Sequence, residues 1–287
     1  VITSIGSRIP YSVYASTPGD SITRVKVVEQ SPLHYQHRLH HPKTSHPLTL
    51  GTAAHCATLE PERYAREFAV WDERTESGRA RPRNGKDWES FRAEHEGQTI
   101  LTGDEHRNAI AIATAVRSHG PAMRYLETGD PEVSMMWTTK VAGVERQSKG
   151  RADWLTTVDG LDVLVGLKTC RDVSPRVFGA QAARLGYAMQ WAYYFDGYTA
   201  ITGRQAKIVE IVVESAAPYA VGVYVIPADV VELGRGAYLD ALTKVVECER
   251  AAKWPGPIEG EVELRLPPWA FRVEDEEDDV ESIGLVA

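Results

Sequence analysis

The stretch KGRADWLTTVDGLDVLVGLKT, residues 149–169, decides the fold. Two runs of apolar and β-branched residues flank Asp159-Gly160, a dipeptide that favours the tight turn of a β-hairpin. The first run carries Asp153 and the second carries Lys168. Counting back from the turn sets Asp153 opposite Leu164 to Gly166, so Asp153 and Lys168 can converge at one end of the hairpin. A carboxylate and an ammonium so placed suit divalent-metal hydrolysis: the carboxylate holds the cation, and the lysine positions or deprotonates the attacking water or stabilises developing charge. A hard cation wants further oxygen ligands, either a second carboxylate or a main-chain carbonyl.

Outward from the hairpin, EVSMMWTT (132–139) reads as a third strand. Downstream, the pattern predicts a helix over 178–195 closed by Gly197, then the strands KIVEIVVES and YAVGVYVI, then a helix from Asp229 to about Lys253. Upstream, a small-residue helix runs from Leu50 to Leu59 and stops at Pro61, and residues 72–103 read as a polar loop with short helical pieces. A helix over 104–118 is expected to bury Ile110, Ala111, Ala115 and Val116, with Gly120-Pro121 ending it. The result is an α/β chain, with a mixed central sheet flanked by helices. There is no internal repeat. One domain over 1–272 is expected, with a helical part over 28–125 and a core over 130–253. Residues 273–287, which include six consecutive acids from Glu274 to Asp279, read as a solvated, disordered tail.

With 287 residues, 43% of them hydrophobic, the chain can bury a large core. No apolar run approaches the roughly 20 residues of a membrane-spanning helix, so a cytoplasmic protein without a membrane partner is expected. Cys56, Cys170 and Cys248 are too few and too scattered for a disulfide framework or a zinc ribbon. A net charge of −8 weighs against a nucleic-acid partner, but positive residues gather in HYQHRLHHPK (34–43) and from Arg146 to Arg151. By charge or hydroxyl, Ser31, Tyr35, Lys149, Arg151 and Thr169 are candidate phosphate contacts.

The hairpin resembles the core of the PD-(D/E)xK nucleases, whose fold is restriction-endonuclease-like: an Asp on one strand, then an acid, any residue and Lys on the next. Other segments sharpen the likeness to the RecB-like branch and its RecE-type exonucleases. GTAAHCATLEPERY (51–64) resembles their helix with a metal-site histidine, here His55; EVSMMW places Glu132 and Trp137 as that family does. GYAMQWAYYFDGY supplies a Gln-x-x-x-Tyr pair, Gln190 and Tyr194, one helical turn apart. With SPLHY (31–35) and LPPWAF (266–271), the likeness spans residues 28–272. It implies a Mg²⁺-dependent exonuclease, with Mn²⁺ able to substitute, that degrades duplex DNA from 5′ to 3′ ends in recombination. It also implies duplex DNA ends as substrate, a RecT-type annealing protein as partner, and a homo-oligomeric ring. Asp153, His55, Glu132 and the main-chain carbonyl of Leu167 would hold metal. Lys168, Gln190 and Tyr194 would complete the site.

One position departs from that pattern. Where the family has an acid two residues before the lysine, this chain has Gly166. Asp162 lies roughly 13 Å up the same strand, too far to substitute, and Glu132 is the better candidate for compensation. Three readings stay open: an acquired substitution, a site rebuilt around His55, Glu132 and Asp153, or a nuclease fold that has lost catalysis and serves as a DNA-binding or assembly protein. The favoured expectation is a disabled or weakened copy of an active enzyme.

Overall fold

The computed structural model describes residues 3–6, 9–41 and 50–267; the acidic tail and the end of LPPWAF lie outside them. In chain order the strands are β1 (Ser4–Gly6), β2 (Asp20–Ser21), β3 (Phe68–Trp71), β4 (Thr99–Thr102), β5 (Asp130–Val141), β6 (Val144–Val158), β7 (Leu161–Cys170), β8 (Lys207–Glu214) and β9 (Val221–Val225). The helices are α1 (Tyr11–Ser16), α2 (Ile22–Val25), α3 (Pro32–His40), α4 (Leu50–Leu59), α5 (Pro61–Glu67), α6 (Gly85–Glu94), α7 (Gly103–Ser118), α8 (Gly120–Leu126), α9 (Pro175–Arg184), α10 (Tyr187–Thr202) and α11 (Ala228–Ala251).

The main sheet runs β1-β5-β6-β7-β8-β9, with β2 attached to β6. Its centre is the hairpin β6–β7. Both turn residues, Asp159 (φ 53°) and Gly160 (φ 77°), adopt the left-handed conformation that a two-residue hairpin needs. The β6–β7 ladder runs from Val158↔Leu161 only as far as Trp154↔Val165. Beyond that point the strands part. β7 continues alongside β8, in parallel register from Val163↔Lys207 to Cys170↔Glu214, while β6 continues beside β5 and takes up β2 at Ser148 and Lys149. Asp153 and Gly166 are the first residues past the parting. The parallel step from β7 to β8 uses α9 and α10 as the crossover, which lays α10 across one face of the sheet.

Helices cover both faces. On one face, Leu164 and Ile208 pack with Met189, Ala192, Leu242 and Val245 of α10 and α11. On the other, Val163, Val165, Leu167, Val209 and Ile211 pack against α4 and α7 through Ala53, Ala57, Ile112 and Val116. Strands buried on both faces need continuous apolar runs, which is how LDVLVGLKTC and KIVEIVVE read. A capping box of Thr102 and Glu105 starts α7.

Three local expectations change. Helix α7 exposes Ile110 and buries Ala109, Ile112, Ala113 and Val116, a stripe rotated by about one residue from the expected one. The predicted helix over 178–195 is two helices, because Gly186 turns left-handed (φ 60°) between α9 and α10. Gly197 does not close α10; it lies inside the helix, where a Cβ would come within 2.9 Å of the Trp137 ring, and Gly203 (φ 70°) ends the helix instead. The parallel pair β3–β4 falls in and beside the region read as loop.

Candidate metal-dependent active site

The site lies in the fork between β6 and β7. Past the parting, the Leu167 N–H has no strand partner on β6 and donates instead to Asp153 Oδ2 at 2.9 Å. The same oxygen lies 3.3 Å from His55 Nε2 and 3.5 Å from Lys168 Nζ. His55 arrives from α4, whose small residues Ala53, Ala54 and Ala57 let the helix sit close on the sheet. Its other nitrogen, Nδ1, is 3.5 Å from Glu132 Oε1. Glu132 faces the gap in the β5–β6 ladder between Pro131↔Trp154 and Val133↔Ala152, and its φ of 53° lies in the left-handed region. That conformation costs a non-glycine residue about 1 kcal/mol or more. Arg151 holds the Glu132 carboxylate at 2.5 Å.

On the α10 side, Gln190 and Tyr194 both face the fork, as their one-turn spacing predicts. Gln190 lines a small cavity with Asp153, Gly166 and Lys168. The Tyr194 ring covers Gly150, where a Cβ would meet it at 2.8 Å. On the α4 side an open cleft of about 530 Å³ is lined by His55, Glu132, Arg151, Leu167, Lys168 and Thr169. The sequence therefore placed the hairpin pair, the histidine and the Gln–Tyr pair at one site.

It missed Glu210. This residue stands beside Gly166 in the parallel β7–β8 register and is 1% exposed. Its Oε2 accepts from Trp191 Nε1 at 2.5 Å, and its Oε1 lies 3.4 Å from Lys168 Nζ. An acid flanked on both sides by apolar residues, in the middle of KIVEIVVE, was the available signal, since a buried carboxylate in an apolar strand is costly and calls for a reason. Glu132, the expected compensating acid, is instead paired with Arg151 and His55.

Electrostatics follows from this crowding. Burial works against the charge of Asp153, but Lys168 and His55 outweigh it and hold its carboxyl well below the usual carboxylate range. Burial likewise opposes the Lys168 ammonium, yet Glu210 first and Asp153 second push its pKa above the ordinary lysine value. Both acids thus favour the charged form of Lys168. Burial lowers the His55 pKa, but Asp153 and Glu132 more than reverse this and raise it. Glu132 and Glu210 are both raised, chiefly by burial.

The expected phosphate contacts divide. Ser31 caps α3, accepting from the His34 N–H, and is buried. Tyr35 is fully buried and donates to Asp20 Oδ1. Lys149 is buried, with its ammonium donating to the carbonyls of Tyr14, Ala15 and Thr17. These three serve the fold, because residue type alone does not reveal which way a polar side chain points. Arg151 and Thr169 do line the cleft.

Among the described residues, no three His, Cys, Asp or Glu side chains converge as a ready metal cage. The donor chemistry nevertheless fits a hard divalent cation: Asp153 and Glu132 supply carboxylates, Leu167 a main-chain oxygen, and the buried Glu210 Oε1 has no hydrogen-bond partner.

Comparison with known proteins agrees with this fold. No curated protein sequence matches the chain. A crystal structure of a candidate exonuclease from Eubacterium rectale is similar at 11% identity, with a TM-score of 0.57 over 86% of this chain and 88% of that one, which shows a shared fold. A protein of Vibrio cholerae is 13% identical over 82% of this chain and 59% of its own, with a TM-score of 0.20. The family model described as "PDDEXK-like domain of unknown function (DUF3799)" matches residues 21–264, most of the chain, and the protein belongs to that family.

Proposed function

We propose that this protein is a metal-dependent deoxyribonuclease, and more specifically an exonuclease of the RecE type. The observation that carries the reading is the fork: Asp153, fixed by the Leu167 N–H, faces Lys168 and His55 at the one place where the central ladder opens. The family and the shared fold support a nuclease. Polarity from 5′ to 3′ ends, a preference for Mg²⁺ with Mn²⁺ as substitute, a ring of identical subunits and delivery of product to an annealing protein extend the reading on the strength of the sequence likeness.

Each side chain has a part in that reading. Asp153, with the Leu167 carbonyl, His55 and Glu132, would hold the cation. When bound, a divalent metal polarises a phosphoryl oxygen and lowers the pKa of its water. Lys168, kept charged by its acidic neighbours, orients the attacking water and stabilises charge on the phosphate as it builds. Gln190 and Tyr194 wall off the α10 side. Beyond the cleft, a groove of about 830 Å³ is lined by Arg63, Arg66 and Arg151 and equally by Glu60, Glu62 and Glu67; Arg63 is paired with Glu60 and Glu67 and Arg151 with Glu132, so Arg66 and the rings of Tyr11 and Trp154 are what it would offer a nucleic-acid strand.

The test is release of nucleotides from linear duplex DNA labelled at its 5′ or 3′ ends, with Mg²⁺ or Mn²⁺, by the protein and by Asp153→Asn. Metal-dependent release that Asp153→Asn abolishes supports the reading, and the labelled end reports polarity. DNA binding without any release would turn the assignment to a non-catalytic binding or assembly protein.

A further inference from the structure

We propose that Glu210 supplies the carboxylate that position 166 lacks, so that the second metal-binding acid has moved from β7 to the neighbouring strand β8. Gly166 is then glycine because the Glu210 head group occupies the space its side chain would fill. This deepens the nuclease reading and rests on it.

The geometry is specific. Gly166 and Glu210 are register partners on adjacent parallel strands, which stand about 4.8 Å apart. A glutamate, one methylene longer than aspartate, can lean across that distance. A Cβ built on Gly166 would lie 2.3 Å from Glu210 Oε1 and 2.7 Å from both Cδ and Oε2, closer than atoms pack. All three of those atoms belong to the carboxylate. The glycine is therefore the complement of the glutamate rather than a lesion in an otherwise intact motif. An acid added at 166 alone would collide with the acid already there.

The two oxygens of Glu210 have different neighbours. Oε2 accepts from Trp191 Nε1, whereas Oε1 faces the Lys168 ammonium at 3.4 Å, on the side of the fork where Asp153 lies. The Lys168 ammonium thus stands within 3.5 Å of one oxygen from Asp153 and one from Glu210. In the motif that the hairpin resembles, the two acids and the lysine come from two strands; here they come from three.

The experiment compares the full chain with Asp153→Asn, Glu210→Gln, Gly166→Asp, Glu210→Ala and the double variant Gly166→Asp/Glu210→Ala. Mn²⁺ binding is read by calorimetry without DNA, alongside nucleotide release and far-ultraviolet circular dichroism. Glu210→Gln keeps the shape of the side chain and is expected to weaken Mn²⁺ binding by on the order of 10- to 100-fold. Gly166→Asp alone should also weaken it. The double variant, with the acid returned to β7 and room made for it, should recover most of the Mn²⁺ affinity that Glu210→Ala loses. Glu210→Asp serves if the neutral variants fail to fold: the charge is kept but the reach is shortened, and affinity should still fall. The proposal is overturned if Glu210→Gln, or Glu210→Asp in its place, binds Mn²⁺ as the unaltered protein does while Asp153→Asn does not, or if the double variant gains nothing over Glu210→Ala. Should the unaltered protein itself bind no Mn²⁺ and release no nucleotides, the nuclease reading falls and this proposal with it.

Discussion

Strand β6 carries a buried charge cluster at each end of its β5-paired half, and the two are built differently. Near its start, Arg146 Nε donates to Asp20 Oδ2 at 2.7 Å, Tyr35 donates to Asp20 Oδ1 at 2.9 Å, and a second Arg146 nitrogen donates to Glu249 at 2.6 Å. Tyr193 adds a bond of 2.6 Å to the Asp20 main-chain oxygen. Every principal contact is short. In the fork, by contrast, Asp153 meets His55 and Lys168 at 3.3 and 3.5 Å, Glu210 meets Lys168 at 3.4 Å, and one Glu210 oxygen has no hydrogen-bond partner. The first cluster satisfies its charges internally and locks β2, α3 and α11 onto the sheet. In the second, Glu132 and Arg151 stand at 2.5 Å, but the two acids that flank Lys168 meet it and His55 only at 3.3 to 3.5 Å, the looser arrangement a site needs if those oxygens are to serve something other than the fold.

Removing a charge from each cluster tests the distinction. Lys168→Ala should lower nucleotide release by about 10³-fold or more at saturating metal, the range expected when a positioned charge is taken from a reaction centre. Because Lys168 also balances two buried acids, Lys168→Met is the better control for packing, and it should lose as much activity. Either variant retaining near-normal turnover would remove Lys168 from the chemistry. Arg146→Met should do the reverse. It strands a buried carboxylate and is expected to cost about 3 kcal/mol in urea unfolding, the low end of the range for a broken buried pair because Glu249 is half exposed. Turnover per folded molecule should hardly change. A loss of turnover matching that of Lys168→Ala would mean the two clusters are coupled through β6 and the contrast is false.

The same contrast marks what the sequence made legible. The β6–β7 hairpin and its Asp153–Lys168 pair could be read because the Asp159-Gly160 turn sets their register locally, within 21 residues. Gln190 and Tyr194 could be read because helical spacing alone puts them on one face. Glu210 could not. Its partnership with Gly166 depends on a parallel pairing between strands separated by two helices, and nothing local in KIVEIVVE specifies which residue of β7 lies beside it. The missing acid therefore looked like damage, when the adjacent strand carries a carboxylate in the same place. Ser31, Tyr35 and Lys149 failed in the opposite sense. Their residue types suit phosphate, and only the packing reveals that their hydrogen bonds are spent indoors. Gly197 was read as a helix stop when its lack of a side chain serves the Trp137 ring.

A smaller effect probes the charge of the fork from its rim. Lys26 lies 5.5 Å from the centre of the Tyr187 ring and Lys168 lies 5.8 Å from it, so the two ammonium groups share one aromatic face or its edges. Burial first, and the Lys168 charge second, bring the Lys26 pKa down to about 8. In the unfolded chain Lys26 titrates near the ordinary value of 10.5. Between those two values the unfolded state binds more protons than the folded one, so this group's contribution to stability rises with pH from about 8 toward 10.5. Lys26→Met should remove that rise. Because Lys26 is only partly buried and donates to the Leu185 carbonyl, the expected difference is below about 1 kcal/mol. Urea unfolding at pH 7.5 and pH 10 reads it as a difference between the two proteins, in which the titration of other lysines and tyrosines largely cancels. Equal shifts in both proteins would show that Lys26 does not feel the fork. A shift confined to the unaltered protein, and enlarged when Glu210→Gln leaves Lys168 less balanced, would show that the positive charge of Lys168 reaches across the Tyr187 ring to the mouth of the cleft, where a phosphate would meet it.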